Sequence, residues 1–413
     1  MSTRQIIYLI FIISLFATVT NFIPVSVSFA IVILLMPLLV VRLYKRPIPK
    51  VYFYLLLLYA CFLISTLFYS PSVLIDPGFY RRDGNFFVTY LPMLFLGLVP
   101  MKPKLNKIIR VSVVWASFFS LAAYLVLPAE APHLHHLAFI AHNAAGGFIA
   151  MILALCLGQY LERREGFFLL IALLDFFLLW ETGSRGTILA FALTFVQVVI
   201  LKERFTKLLL VGSAIVMIVL LVIVYPFWVK TGGQFSEAEV LSQFPINISR
   251  AGTFLIRGLS LWPRAVDNFI KSPVFGQGFG SFDDVPYQFK DFGFAILNTS
   301  QIYNHTAAHA HNSYLNFLSE TGLIGFFLVV MFLVSLHRFI GYAPIPMGAA
   351  LGLRLAFWVA VWSAFTEHRL TAPSQMLPFT ILIGLVLALT RGVQIEAGNE
   401  STKPDEIEYA TAV

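Results

Sequence analysis

"HAHNSYLNFLSETGLIGFFLVVMFLVSL", residues 309–336, starts polar and ends as an unbroken apolar run. Between Gly322 and Leu336 no ionisable group appears, as expected of a helix that enters a bilayer. The polar half carries two imidazoles (His309 and His311), the Asn312 amide and the Glu320 carboxyl. A helix is therefore expected to start near His311 or Asn312, level with one membrane surface. Gly322 and Gly325 are expected to give that helix a small face for close packing against a neighbour.

The rest of the chain has the same character. Of its 413 residues, 59% are hydrophobic and only 12% charged, about half the charge of a soluble domain. Its mean hydropathy is +0.83. Apolar runs fall near 5–21, 24–41, 51–70, 86–101, 108–127, 143–161, 166–181, 187–201, 208–229, 322–340, 346–366 and 373–390, giving about twelve expected spans. The fold class is an all-α polytopic membrane protein. Residues 1–391 form one transmembrane domain interrupted by a long polar segment at about 230–321, and residues 392–413 form a polar, disordered tail. The first apolar run follows Arg4 and lacks a small-residue cleavage site, so it reads as a retained helix. The two cysteines, Cys61 and Cys156, lie within apolar runs as small hydrophobes and give neither a disulfide framework nor a thiolate site.

Basic residues set the orientation. "RLYKRPIPK", "KPKLNKIIR", "LERRE", "KERFTK" and "HRF" fall on one side of the expected spans, with Arg4 and the tail. The short loops opposite hold only Arg81, Arg82, Arg185 and Arg369. Both termini are thus expected in the cytoplasm, with the 230–321 segment outside, in the periplasm of a bacterial inner-membrane protein.

Two arginine sites stand out on that outer side. Read as a helix at 100° per residue, 248–270 ("ISRAGTFLIRGLSLWPRAVDNFI") gathers Leu255, Leu259, Trp262, Val266, Phe269 and Ile270 on one arc. Arg250, Arg257 and Arg264 recur every seven residues on the opposite face, with Thr253 and Asn268. Pro263 should kink or break this helix. Such a helix can lie on the membrane with its arginines at lipid headgroups, or turn a guanidinium into a cleft that grips phosphate. Arg185, in "WETGSRGTILA", sits in a turn of a few residues between two spans, where a cation runs against the topological bias. A histidine beside two arginine sites on one face suggests a base near a bound phosphate. Neutral imidazole can take a proton from an attacking hydroxyl, and guanidinium can hold charge on a phosphate leaving group.

These residues also resemble the bacterial O-antigen ligase and polymerase superfamily. The signature of that family is His, then Asn, Ser or Gln, nine residues, Gly, two residues and Gly, which His311, Asn312, Gly322 and Gly325 satisfy. "SRG" around Arg185 is similar to the family, as is "RGLSLWPRAVDNFIKSPVFGQGFGSF" with Arg257, Trp262, Pro273, Gly276 and Gly278 in order. "YRRDGN" and "AHNAAGG" are shorter similar patches.

The resemblance implies a membrane-embedded glycosyltransferase of GT-C type that works without metal or other cofactor. Its donor would be a glycan on undecaprenyl pyrophosphate, and its acceptor a lipid A core sugar for a ligase or another glycan for a polymerase. Protein O-oligosaccharyltransferases share the signature. A twelve-span transporter is the rival from another class, but no internal repeat supports it. Carried over by residue, His311 would activate the acceptor hydroxyl, and Arg185 and Arg257 would bind the pyrophosphate. Arg264, Asn312, His309 and Arg82 would be secondary contacts. His309 and His305 otherwise read as solvated loop residues, and Glu320 as a cap, an arginine partner or a solvent-facing group. "HLHH" at 133–136 lacks a carboxylate or thiol partner for a metal, and "GQGFG" lacks the βαβ setting of a dinucleotide loop. Membrane lipids are expected partners; nucleic acid is not.

Overall fold

The computed structural model describes residues 49–69, 74, 79, 84–98, 104–129, 134–139, 141–230, 256–282 and 309–400. The first two expected spans, Arg82, Arg250, His305 and the tail from 401 lie outside these residues. Every regular element described is helical: α1 (Lys50–Tyr69), α2 (Asn85–Thr89), α3 (Leu91–Leu96), α4 (Leu105–Val126), α5 (His142–Arg163), α6 (Gly166–Glu181), α7 (Arg185–Phe195), α8 (Thr206–Lys230), α9 (Trp262–Lys271), α10 (Ser313–Tyr342), α11 (Met347–Ser363) and α12 (Pro373–Glu400). Among the described residues, six helices are long and apolar enough to cross a membrane, while Asn85–Leu96, Arg185–Ile200 and Met347–Ser363 are shorter apolar segments. The chain is a multi-pass membrane protein. The last helix runs to Glu400, beyond the span end expected near 390 and into the segment expected to be a disordered tail.

Helices α5 and α12 are mostly buried, whereas α8 presents nearly all of its surface outward. The tightest crossing joins α5 to α11. A Cβ built on Gly158 would overlap Gly352 Cα and N and lie 2.6 Å from Gly348 O. This small-residue contact brings two backbones together where larger side chains would hold them apart. A close helix contact of this kind was expected at Gly322 and Gly325, and there the structure differs. Gly322 adopts φ 61° and ψ −160°, a break inside α10, in a region open essentially only to glycine. The segment 273–278 seats on that break: Leu323 N–H donates to Pro273 O (2.9 Å), Gln277 N–H to Ser319 O (3.0 Å) and Gly278 N–H to Glu320 O (2.8 Å). A Cβ on Gly322 would strike Val274 O, and one on Gly276 would strike Glu320. Gly322 receives a loop rather than a helix. Gly325 makes room for Thr321 at the same break.

The seated loop then threads into the core. Phe279 stacks on Phe62, with centroids 4.3 Å apart. Its backbone N–H and C=O are held by Ser65 Oγ (2.9 Å) and Thr66 Oγ1 (3.1 Å) of α1. Glu320 is buried and accepts from Phe282 N–H at 3.3 Å. Of the three readings left open for Glu320, the solvent-facing one fails. The "GQGFG" glycines thus tie α9, the break in α10 and the end of α1 into one node.

Candidate functional site

His311 precedes α10 with φ 47°, a left-handed backbone that histidine adopts more readily than most residues and that turns its ring away from the helix line. Asn312 caps the helix, its Oδ1 accepting from Tyr314 N–H (3.0 Å) and Leu315 N–H (3.1 Å). Its amide donates to Phe365 O at 3.0 Å. Ser313 N–H donates to Ala364 O (2.8 Å), Ser313 Oγ to Glu367 O (3.2 Å) and Leu370 N–H to Ser313 Oγ (3.2 Å). "HNS" is therefore fastened along "AFTEHRL", the turn joining α11 to α12.

That fastening sets His311 Nδ1 2.8 Å from Glu367 Oε2. Glu367 is the hub. Its Oε1 accepts from Arg257 at 2.5 Å and from Asn143 Nδ2 at 3.1 Å, and Arg257 also donates to Thr366 O at 2.7 Å. Burial favours the neutral acid, but the His311 hydrogen bond and the charges of Arg369, His311 and Arg257 outweigh it and hold the Glu367 carboxyl well below the ordinary range. A buried carboxylate so held is costly to build and rigid once built. The His311 side chain keeps 32% of its surface open against 10% for Glu367. Its Nε2 has no partner among the described residues. An imidazole with one nitrogen anchored on a carboxylate and the other open is oriented as a base.

Arg257 lies in a π-helical turn, Ile256–Leu261, immediately before α9. The kink expected at Pro263 is realised as this wider turn, with the proline in the first turn of α9 where its missing N–H costs nothing. Of the two placements open to this helix, the headgroup one fails. Arg264 and Asn268 are buried, while Ile270 is exposed. Arg264 donates to Phe282 O at 2.5 Å and lies 4.7 Å from the centre of the Phe282 ring. Trp262 and Ala265 join Phe282, Ala310 and Leu315 in a small core beside the site. The polar side of the helix therefore turns inward, so headgroup contact does not describe Arg257 or Arg264.

Arg185 opens α7 just after Gly183, whose φ is 65°. Both flanking residues touch the cluster. Ser184 Oγ donates to Asn143 Oδ1 at 3.1 Å, and a Cβ on Gly186 would lie 2.5 Å from Thr366 Oγ1. The guanidinium itself is exposed and has no partner among the described residues. Arg257 and His311 thus share Glu367, and Arg185 adjoins the same cluster through its neighbours Ser184 and Gly186.

The secondary candidates divide. His309 is not a solvated loop residue: its ring packs 4.3 Å from His311 and 5.0 Å from His368. Its Nδ1 accepts the His311 N–H at 3.2 Å. Burial, and then the neighbouring imidazoles His311 and His368, press its pKa well below the usual value. Asn312 is buried as a cap, and Arg264 is engaged with Phe282. In "HLHH", His135 is held structurally, with Nε2 2.9 Å from Leu127 O.

Sequence reasoning missed Glu367, Asn143 and the buried His368. One signal was available: "TEHR" crowds ionisable groups into a short outer turn, the same oddity that singled out Arg185.

Residues 167–330 match the family described as O-Antigen ligase. This segment belongs to the O-antigen ligase superfamily. It spans α6 to α10 and includes Arg185, Arg257 and His311, while Glu367 lies beyond it. No curated protein matches the chain. The match relates this segment, at the coarse level, to membrane glycosyltransferase-like ligases and polymerases.

Proposed function

We propose that the protein transfers a glycan from undecaprenyl pyrophosphate to an acceptor sugar hydroxyl at the periplasmic face of the bacterial inner membrane, as an O-antigen ligase of GT-C type acting on lipid A core. The observation that carries this reading is the anchored imidazole: His311 Nδ1 on Glu367 at 2.8 Å, beside the Arg257 guanidinium. Glu367 holds Nδ1 as the protonated nitrogen, so Nε2 accepts the proton of the acceptor hydroxyl. The freed oxygen attacks the anomeric carbon as the bond from that carbon to the pyrophosphate oxygen breaks. Polyprenyl pyrophosphate leaves with the electron pair, and a single in-line displacement inverts the anomeric carbon. Arg185, whose guanidinium has no partner among the described residues, and the remaining N–H groups of Arg257 would grip the leaving pyrophosphate. One further feature supports a site for an anion: among the described residues, the one carboxylate in the cluster is outnumbered by Arg257, Arg369 and Arg185.

The test is product analysis. Purified protein is incubated with undecaprenyl-pyrophosphate glycan and rough lipopolysaccharide in chelator, without nucleotide. A glycan joined to lipid A core is expected. A longer glycan still on its polyprenyl carrier would replace the ligase reading with a repeat-unit polymerase, and no glycosidic product would remove the transfer reading.

A further inference from the structure

Far from His311, at the other end of α10, the facing sides of α1 and α10 enclose a cavity of about 620 Å³. Lys50 and Tyr54 line it from α1, and Met331, Val334, Arg338 and Tyr342 from α10. The two helices run in opposite directions here. Lys50 begins α1, whose far end at Tyr69 meets Gly278, and Arg338 lies near the end of the helix that His311 precedes. The cavity therefore opens at the membrane surface opposite the His311 cluster.

We propose that this cavity binds an anionic phospholipid, with its headgroup phosphate between Lys50 and Arg338 and its acyl chains along Met331 and Val334. Three observations carry it. Two cations line the cavity and no carboxylate does. Both are exposed, and neither has an ion-pair or hydrogen-bonding side-chain partner among the described residues. The lining is also graded. Arg338 and Tyr342 lie toward the helix end, whereas Val334 and Met331 lie four and seven residues deeper, about 6 and 10 Å along a helix axis. A charged rim over an apolar wall suits an amphiphile, and the volume is that of a site for an organic ligand rather than for one inorganic ion. The site does not depend on the transfer chemistry.

Native mass spectrometry of the purified full chain tests this with phosphatidylglycerol, phosphatidylcholine and glycerol phosphate as probes. Phosphatidylglycerol should be retained at roughly 25-fold lower concentration than phosphatidylcholine, since each of the two basic residues near an anionic headgroup contributes about fivefold. Lys50→Gln/Arg338→Gln should abolish that preference. Met331→Trp, which keeps both cations and fills the deep end, should weaken retention of both lipids. Unchanged preference in the double variant, or full retention by Met331→Trp, would overturn the site. Glycerol phosphate competing as well as the lipid would make it a plain anion site and overturn the lipid assignment.

Discussion

Glu367 decides what His311 can do. An imidazole anchored at Nδ1 has its tautomer and its direction fixed by one carboxylate. Glu367→Gln preserves the shape but removes the charge that holds the Nδ1 proton. It should lower kcat by about 10²-fold or more with little change in KM for the donor. Loss of affinity with unchanged kcat would instead make Glu367 a binding group. His368 gives a second test at this scale. Burial, with His311 opposing and Glu367 favouring the charged form, depresses its pKa from the usual 6.5 to about 4. Within that window the unfolded chain binds a proton that the folded chain refuses. Its contribution to stability is therefore complete above about pH 6.5 and is lost as pH falls toward 4. Thermal melts of the detergent-solubilised protein should show this slope, and His368→Gln should flatten it. His311, Arg185 and Arg257 were legible in the sequence because each is a polar residue where an apolar chain has no packing use for one. Glu367 was not, because its partners are 56 and 110 residues away in sequence and no periodicity connects them.

The break in α10 is the element that joins the two halves of the site. It lets the 273–278 loop seat on the helix bearing His311, which fixes where α9 and Arg257 stand. Gly322→Ala must place a Cβ against Val274 O at a backbone conformation closed to alanine. About 1–3 kcal/mol of strain follows. A lower melting temperature and a matching loss of folded protein are expected on size exclusion. Unchanged stability would mean the break is dispensable. Gly158→Ala should be worse tolerated than substitution at Gly212, where a Cβ meets nothing within 4 Å. From sequence, two glycines three apart in an apolar run resemble a helix-packing face, and a break at positive φ leaves the same trace. Which way the α9 arginines face stayed open in the sequence for a related reason. Periodicity finds the two faces of a helix, but which one is buried depends on the polar partners that tertiary structure supplies.

Across the whole molecule the helices alternate between two chemically distinct ends. One end holds the His311 cluster. The other holds Lys50, the Arg110–Glu165 pair and Glu203, whose carboxylate accepts from Trp358 Nε1 at 3.1 Å. The hydrophobic pattern shows the helices within the described residues, and the basic residues predict the side each end faces. A membrane-impermeant maleimide should label a cysteine at Arg185 from the periplasm of intact spheroplasts but leave one at Lys107 unlabelled until lysis. The reverse result would invert the topology. The most direct measurement is single-turnover glycan transfer by His311→Ala beside the parent protein, with both shown folded by melting temperature. Transfer should fall by about 10²–10⁴-fold with pyrophosphate-donor binding retained. Near-parental transfer by a folded His311→Ala protein would contradict the account.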